Sequence, residues 1–484
     1  MPTFLAELAE GFDADLGLNA AERLAASVDS PERLLALALE NPSSRRALVA
    51  CLSGSPYLSE MLISEPQLLE EVFGTGRLGR SVFKDELEAE LTRGLEEAEG
   101  MEGAMQGLRR FRRRAFLRIG LRDLLREAEL TETVEDLSTL AEVCLDAGLA
   151  FAERLLHARF GEPRYTDSEG VERPGEFCVI GMGKLGGHEL NFSSDIDLMY
   201  VYVSERGTTT GVRDASGRVT GQIELHEYYT RLSQDLTRLI GERTADGVVF
   251  RVDLGLRPEG KTGDICASLR TYELYYESWG ETWERQALLK ARPVAGSRRL
   301  GEAFLDTIRP FTFRKYLDFD AIQEIRGMKE RIDSRLGISA PKKGYHVKLG
   351  AGGIREVEFV IQAFQMLYAG RDHWLREPNS LRALHRLSDR GHITMEEYSD
   401  LSKAYTFLRE LENRIQMTYG LQAHTLPEDE PSRAALARKM GLTGTTPAEL
   451  ASALLSAYEH HTARVRAVYD KFFYTADVEE VSAP

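Results

Sequence analysis

Two aspartates, Asp195 and Asp197, stand at the start of an apolar run, DIDLMYVYV. In an extended strand, side chains two positions apart project from the same face, about 6.6 Å apart. Carboxylates at that separation repel each other, which generally raises their pKa values. A divalent cation relieves the repulsion, and oxygen-rich sites of this kind suit Mg²⁺ or Mn²⁺. An isolated Asp-x-Asp pair is more often a solvated strand edge, so the metal interpretation needs further residues.

A third carboxylate is available in the segment VVFRVDLGLR, where Asp253 shares a strand face with Arg251. If this segment lies beside the first one, three carboxylates converge and can hold a pair of metal ions. Two ions about 3.5–4 Å apart clamp the attacking and leaving oxygens of an in-line phosphoryl displacement. The alternative is structural, because an aspartate just before a turn often accepts a local hydrogen bond.

A glycine-rich loop, with Gly181, Gly183 and Gly186, connects the apolar segment FCVI to the two aspartates. Its spacing matches the dinucleotide-binding pattern GxGxxG, which requires a crossover helix after the third glycine. Only fourteen residues separate the two apolar segments, too few for a parallel crossover. The loop therefore favours phosphate binding, in which Gly183 lets a phosphate approach the backbone. Ser193 and Ser194 at its end offer further N–H groups.

The surrounding pattern predicts an α+β protein with four parts. Residues 1–165 form an N-terminal helical region, which ends near the turn-rich stretch TDSEGVERPGEF. Residues 166–305 carry the strand-like segments EFCVIG, DIDLMYVYV, VVFRVDLGLR and QALLKARPVAG, with one helix near 224–242. Residues 306–475 form a C-terminal helical bundle, with capping boxes at Thr394–Glu397 and Thr446–Glu449. Residues 476–484 form a tail or linker.

The order of strand, glycine loop, serines, Asp-x-Asp and a second acidic strand is the pattern of the nucleotidyltransferase fold. We therefore expect a nucleotidyltransferase-fold mixed sheet as the core, flanked by the N-terminal helices and the C-terminal bundle.

The overall composition disfavours several classes of protein. With 77 acidic and 61 basic residues the net charge is −16, which is unfavourable for binding nucleic acid. The cluster RRFRRR, starting at Arg109, is interpreted as a solvated helix face that pairs with neighbouring acids. No apolar run is long enough for a membrane span, and the N-terminus does not resemble a signal peptide. Four scattered cysteines favour neither zinc nor disulfides. We expect a cytoplasmic protein that binds no membrane.

Four sequence blocks resemble those of the glutamine synthetase adenylyltransferase/adenylyl-removing enzyme family, in the family's order. They are GMGKLGGHELNFSSDIDLMYVY, RVDLGLRPEGKTG, WERQALLKARPVAG and KLGAGGIREVEFVIQAFQ. The family's full-length enzyme carries two nucleotidyltransferase units, one that attaches AMP to a tyrosine of glutamine synthetase and one that removes it by phosphorolysis. The chain has one such unit, and ELNFSSDIDL with GGIREVEFVIQ resembles the removing half.

The resemblance implies roles for individual residues. Asp195, Asp197 and Asp253 would be the catalytic metal ligands, holding two Mg²⁺ or Mn²⁺ ions. The residues implied to bind substrate or phosphate are Gly183, Ser193, Ser194, Arg257 and Lys290. For Arg257 and Lys290, ordinary salt bridging is an equal alternative, and Lys184 and Arg292 are weaker candidates. The acidic residues of the IREVEF segment, Glu356 and Glu358, are expected to pack the bundle against the core.

The resemblance also implies partners: adenylylated glutamine synthetase, the PII signal protein, phosphate, and the AMP moiety that leaves as ADP. Three alternatives remain open. One is the adenylylating activity, the second is another protein-directed nucleotidyltransferase, and the third is an inactive scaffold that docks on glutamine synthetase or PII.

Overall fold

The computed structural model describes residues 2–315 and 345–474, except 29, 31–35, 37–40, 74–77 and 82, and it also describes Gly327. The predicted tail over 476–484 lies outside the described residues, and so does most of 316–344 in the predicted bundle.

The N-terminal part is helical, as the sequence pattern predicts. Its described α-helices are α1 (Pro2–Ala9), α2 (Ala14–Ser27), α3 (Pro42–Gly54), α4 (Pro56–Ser64), α5 (Lys84–Glu96), α6 (Gly100–Leu124) and α7 (Leu130–Phe160), with a π-helical turn at Leu69–Phe73. Asn41 and Ser55 cap α3 and α4, each followed by a proline at the first helical position. Leu108, Phe116 and Leu121 of α6 are buried in the core that these helices share.

A five-stranded mixed sheet follows. Its strands are β3 (Phe177–Gly181), β4 (Ile196–Tyr202), β8 (Val252–Asp253), β9 (Cys266–Ser268) and β10 (Arg292–Gly296). Strand β3 lies between β10 and β4 and is antiparallel to both. Strand β4 pairs in parallel with β8 at its beginning and with β9 at its end. The antiparallel pairing of β3 with β4 needs no crossover helix, which agrees with the rejection of a dinucleotide-binding fold.

Helices cover both faces of this sheet. They are α8 (Gly183–Gly186), α9 (Leu225–Gly241), α10 (Leu269–Ser278), α11 (Thr282–Leu288) and α12 (Arg298–Thr312). Side chains of β4 alternate between two cores: Leu198 and Tyr200 join the core of the N-terminal helices, while Met199 and Val201 join a second core with α10 and α12. Helix α12 runs through the predicted boundary at residues 305–306, and the domain boundaries themselves stay predictions.

Five short strands complete the α/β region: β1 (Pro163–Thr166), β2 (Glu172–Pro174) and β5 (Gly207–Thr209) form one small sheet, and β6 (Val212–Arg213) pairs with β7 (Val219–Thr220).

Two predicted strands are wrong in extent. Only Val252–Asp253 of VVFRVDLGLR is a strand. The segment QALLKARPVAG is part helix and part strand, because α11 continues to Leu288 before β10 begins at Arg292. A capping box between Glu281 and Glu284 starts α11. Gln, Ala and Leu then favour its continuation.

The C-terminal part is a helical bundle with its own core. Its described helices are α13 (Ile354–Tyr368), α14 (Ser380–Asp389), α15 (Met395–Tyr419), α16 (Glu430–Lys439) and α17 (Pro447–Phe473). Both predicted capping boxes are present, Thr394–Glu397 on α15 and Thr446–Glu449 on α17. Glu356 accepts from the N–H of Gly352 and pairs with Arg466, both in the bundle. Glu358, by contrast, lies 3.8 Å from Lys290 of the core.

The arginine cluster on α6 is solvated only in part. Arg110 and Arg114 pair with Glu71, as expected for a charged helix face. Arg109, however, is 1% exposed and donates to carbonyls that include those of Gly247, Leu239 and Glu242. The prediction of a wholly solvated face is therefore wrong, because this arginine joins α6 to the segment that follows α9.

All four cysteines are buried and unpaired, in agreement with the prediction of no disulfide. Among the described helices, none by itself is long and apolar enough to cross a membrane. Taken together, α3 and α4 have the length and composition of a span, but the pair is bent by 113°.

Candidate active site

Two of the three predicted carboxylates lie side by side at the start of β4. Asp197 and Asp253 are direct partners in the parallel β4–β8 pairing, so their side chains project from the same face of the sheet. Asp195 lies just before β4, and the N–H of Ile196 donates to the carbonyl of Arg251 at 2.9 Å. The sequence-based expectation that Asp253 lies beside the Asp-x-Asp strand is confirmed.

Burial and the neighbouring carboxylates act on the ionisation of Asp197. Its pKa is raised to about 6, first by burial and then by the negative charges of Asp253 and Asp195. Lys348 and Lys184 act in the opposite direction with weaker effect. A carboxylate held near other carboxylates in a half-buried position gains from any cation that binds there.

Asp195 is held by a residue to which the sequence assigned no role. Arg251 Nε donates to Asp195 Oδ1 at 2.5 Å, and the same guanidinium donates to the carbonyl of Ser193. Both side chains of the ion pair are about two-fifths exposed, 41% and 35%. The signal was present in the sequence, since Arg251 and Asp253 share a strand face, but the partner of Arg251 could not be read from it.

The glycine loop touches the carboxylates at Gly183. This residue has a φ of 52°, and a Cβ there would lie 2.6 Å from Asp197 Oδ2. The N–H of Met182 donates to the carbonyl of Asp197 at 2.8 Å, which fixes the loop to β4. Gly183 therefore satisfies two demands that only glycine meets, a left-handed backbone and contact with a carboxylate.

The two serines differ in availability. The N–H of Ser193 already donates to Gln416 Oε1 at 3.0 Å, so this amide is not free for a phosphate. Ser194 is half-buried, and its N–H makes only a long contact, 3.4 Å, with the carbonyl of Asn191. Of the two predicted phosphate contacts, Ser194 is the accessible one.

Arg257 does not face the carboxylates. Its guanidinium donates to carbonyls of its own loop, those of Leu254 at 2.6 Å, Asp264 at 3.0 Å and Gly263 at 3.1 Å. This arrangement favours the structural alternative, in which Arg257 closes the loop after β8. Arg292 likewise binds Glu142 at 2.5 Å and the carbonyls of Leu185 and Gly186.

Lys290 lies in a buried polar layer behind the loop. Its ammonium group contacts Glu189 and Ser380 Oγ, and it lies 3.8 Å from Glu358. Burial opposes its charge, but Glu189 and Glu358 outweigh burial and raise its pKa. Lys290 is only 7% exposed, so its role here is to connect the glycine loop to the bundle.

Lys184 is committed in a similar way. Its ammonium group lies 3.0 Å from Glu412 Oε2, on α15 of the bundle. Burial lowers the pKa of Lys184 to about 8 in spite of this partner. Burial also opposes the charge of Glu412, yet Lys184, His424 and Arg409 together hold its pKa well below the usual range.

Lys348, in the segment KLGAGGIREVEF, is the cation that sequence reasoning missed. It is half-buried, and its charge acts on Asp197, Lys184 and Glu358. Among the described residues its ammonium group has no hydrogen-bond or ion-pair partner. It stands in a turn whose backbone is bonded to His424, and the imidazole of His424 lies 2.8 Å from Glu412.

The carboxylates fit a divalent ion, with one adjustment. Asp197 and Asp253 offer oxygen donors side by side, and burial, followed by the negative charges of Asp253 and Asp195, raises the pKa of Asp197. Across the described ranges no group of three His, Cys, Asp or Glu side chains is already gathered around one point. Asp195 is turned to Arg251 and would have to exchange that partner to become the third ligand. The donor set is of the hard oxygen type that Mg²⁺ and Mn²⁺ prefer.

Comparison with known proteins places this geometry in a family. The profile of the glutamate-ammonia ligase adenylyltransferase family matches residues 45–307, more than half of the chain, including all three aspartates. The chain belongs to this family. A second profile, that of GlnD PII-uridylyltransferase, matches residues 324–473, which include the bundle.

Curated relatives in the family share the same printed name, "Bifunctional glutamine synthetase adenylyltransferase/adenylyl-removing enzyme". The relative from Thioalkalivibrio sulfidiphilus is 43% identical over 82% of this chain and 39% of its own length. Those from Nitrosococcus oceani and Pseudomonas aeruginosa are 39% and 40% identical over 87% and 80% of this chain. The match covers 41% and 38% of their own lengths. The chain thus spans about two-fifths of these family members.

Proposed function

We propose that the chain is a nucleotidyltransferase that removes AMP from the adenylylated tyrosine of glutamine synthetase by phosphorolysis and releases ADP. The observation that carries this proposal is the pairing of Asp197 with Asp253 beside Gly183, inside the region matched by the family profile. The printed names of the relatives supply the target, glutamine synthetase, and the two possible directions of reaction.

The proposed reaction breaks the phosphate ester bond to tyrosine and forms the phosphoanhydride bond of ADP. An oxygen of inorganic phosphate attacks the α-phosphorus of the AMP group, and the bond between that phosphorus and the tyrosine oxygen breaks. The proton of the hydrogen phosphate dianion ends on the tyrosine oxygen, so the products are ADP and the synthetase with an unmodified tyrosine side chain. A phosphate dianion is a competent nucleophile, which removes the need for an activated serine or cysteine.

Different described residues would contact the phosphate groups and hold the divalent ions. Gly183 lets the loop backbone lie against the Asp197 carboxylate, and we assign the α-phosphate to this edge of the loop, at whose end Ser194 lies. Lys348 acts on Asp197 and has no partner among the described residues, and we assign it to the incoming phosphate. Divalent ions held by Asp197 and Asp253, joined by Asp195, would supply Lewis-acid stabilisation of the transition-state charge.

The removing direction rests on the resemblance of ELNFSSDIDL and GGIREVEFVIQ to the removing half of the family enzyme. The match to a uridylyltransferase profile covers the bundle, whereas the core with the carboxylates matches the adenylyl family. This division favours an adenylyl group over a uridylyl group. The PII signal protein remains a proposed partner.

The test is a product assay. The chain is incubated with AMP-modified glutamine synthetase, phosphate and Mg²⁺, and nucleotides are separated by chromatography. The proposal predicts ADP that depends on phosphate and Mg²⁺. Release of AMP would indicate hydrolysis, and ATP formed only with pyrophosphate would indicate the adenylylating reaction in reverse. Binding of the synthetase without any nucleotide product would indicate a docking scaffold. Each of these three results contradicts the proposal.

A further inference from the structure

One face of helix α15, in the C-terminal bundle, contacts the loop that leads into the carboxylates. Arg409, Glu412 and Gln416 follow one another at helical spacing and are each at most 1% exposed. Arg409 donates to the carbonyl of Glu189 at 2.6 Å and contacts Asn191 Oδ1. Glu412 accepts from Lys184 and Asn191. The loop between β3 and β4 is therefore shaped by residues that lie more than 200 positions later in the chain.

Gln416 contacts the last part of this loop. Its Oε1 accepts from the N–H of Ser193 at 3.0 Å. The carbonyl of Ser193 in turn accepts from Arg251 Nη2, and Arg251 Nε donates to Asp195 Oδ1 at 2.5 Å. A series of hydrogen bonds thus runs from the bundle, through the N–H and the carbonyl of Ser193 and a guanidinium, to the carboxylate predicted to bind metal.

We propose that Gln416 is a positioning residue for Asp195: it anchors the N–H of Ser193, which places the Ser193 carbonyl against Arg251, which sets the direction of the Asp195 carboxylate. The proposal rests on the proposed function only in treating Asp195 as a metal ligand. It makes the bundle part of the active site, since the final adjustment of Asp195 comes from a helix that the adenylyltransferase profile does not cover.

The position of Ser193 explains why one acceptor matters. Ser193 is 7% exposed, so its N–H has little access to water if Gln416 is removed. A buried amide without an acceptor is unfavourable, and the peptide is expected to turn towards another one. The N–H of Ser193 belongs to the peptide before this residue and its carbonyl to the peptide after it, so a displacement of Ser193 would carry the carbonyl away from Arg251 and loosen the Arg251–Asp195 pair. Since Asp195 has to leave Arg251 to reach an ion, this loosening would favour metal binding.

The test compares Gln416→Met with a matched control. Methionine keeps the length of the side chain and removes the acceptor. Gln362→Met is the control, because Gln362 Oε1 also accepts a hydrogen bond across the core–bundle boundary, from Gln286 at 2.5 Å, without touching the loop. Gln416→Glu retains an acceptor oxygen and serves as the rescue variant. Two quantities are measured in the full chain: hydrogen exchange of the 190–196 segment without metal, and the affinity for Mn²⁺.

We expect Gln416→Met to raise exchange of the 190–196 segment and to strengthen Mn²⁺ binding by up to about fivefold, because Asp195 no longer has to leave a firmly held ion pair with Arg251. Gln362→Met should change neither quantity, and Gln416→Glu should restore both in part. Unchanged exchange in Gln416→Met would overturn the proposal, and so would faster exchange with unaltered or weaker Mn²⁺ binding. Equal changes in the Gln362→Met control would also overturn it. A wild-type chain that binds no Mn²⁺ would count against the proposed function, and the exchange comparison would then decide alone whether Gln416 holds the loop.

Discussion

Two charged regions lie on opposite sides of the glycine loop, and they differ in how their charges are balanced. At the start of β4, Asp197 and Asp253 stand together, and the pKa of Asp197 is raised to about 6. Behind the loop, Lys290 and Glu412 are buried, but each has opposite charges within 4 Å. In the first region, called the unbalanced side, Asp197 lies beside like charges, whereas in the second, called the balanced side, each of these buried charges has an opposite charge beside it. Under the proposed function, the unbalanced side does the chemistry and the balanced side holds the loop.

The largest expected effect is on turnover at the unbalanced side. Asp197→Asn removes a carboxylate that the paired strands place beside Asp253, and electrostatic stabilisation of this kind is worth about 10²–10³ in rate for a single group. We expect ADP formation to fall at least by that factor, with the far-ultraviolet circular dichroism spectrum unchanged. A variant that keeps a tenth of the activity would show that Asp197 is not essential.

On the balanced side, removal of one charge should lower the free energy of unfolding. Glu412→Leu leaves Lys184 and Arg409 buried without their carboxylate, and breaking a buried ion pair typically costs about 3–5 kcal/mol. Urea unfolding of the metal-free chain measures this loss. The control is Glu302→Ala, whose partner Arg298 is exposed, with an expected change below about 1 kcal/mol. Equal changes in the two variants would erase the distinction between the regions.

Lys348 tests whether a cation belongs to the unbalanced side. Lys348→Gln should lower turnover about 10–100-fold at low phosphate, as expected for a lost charge-assisted hydrogen bond of about 1.5–3 kcal/mol. The unfolding free energy should not change, because no described residue pairs with this lysine. Lys403→Gln, on the exposed surface of α15, is the matched control. A loss of stability in Lys348→Gln with a normal KM for phosphate would assign Lys348 to the balanced side.

The smallest effect is a gain of stability with a defined pH dependence. The pKa of Asp197 in the folded chain, about 6, lies above the ordinary aspartate value of 3.8. Ionisation of Asp197 therefore destabilises the folded state increasingly as pH rises from about 4 to 6, and constantly above that range. Without metal, Asp197→Asn should be more stable than wild type at pH 7 by up to about 3 kcal/mol, and equal to it near pH 4.

Asp195→Asn is the contrasting variant for that measurement. From the sequence, both aspartates would be expected to relieve repulsion when neutralised. In the structure Asp195 pairs with Arg251, so its neutralisation should lose up to about 1 kcal/mol. Thermal unfolding at several pH values in metal-free buffer distinguishes the two variants, and a gain in both would contradict the assignment of Arg251.

Local patterns were sufficient to predict the elements that carry the carboxylates. Strand alternation predicted β4, the fourteen-residue spacing excluded a crossover helix, and the acid in the next strand predicted the position of Asp253. The capping boxes of α15 and α17 were also readable, because each depends on residues three positions apart.

The partners of the basic residues could not be predicted, because they come from distant parts of the chain. Lys290 was a candidate for phosphate binding, yet its ammonium group pairs with Glu189 and donates to Ser380 Oγ. No sequence pattern distinguishes Lys348, because its importance follows from having no partner in the described part of the chain. A lysine in a sequence shows its charge but not whether another element neutralises it.

Diffraction from crystals of the chain grown with Mn²⁺, recorded at the manganese edge, tests the central claim most directly. The account predicts anomalous density within about 2.5 Å of carboxylate oxygens of both Asp197 and Asp253, beside Gly183, with Asp195 turned from Arg251 towards the ion. An ion bound elsewhere, or a structure in which Asp253 points away from Asp197 with Mn²⁺ present, would contradict it.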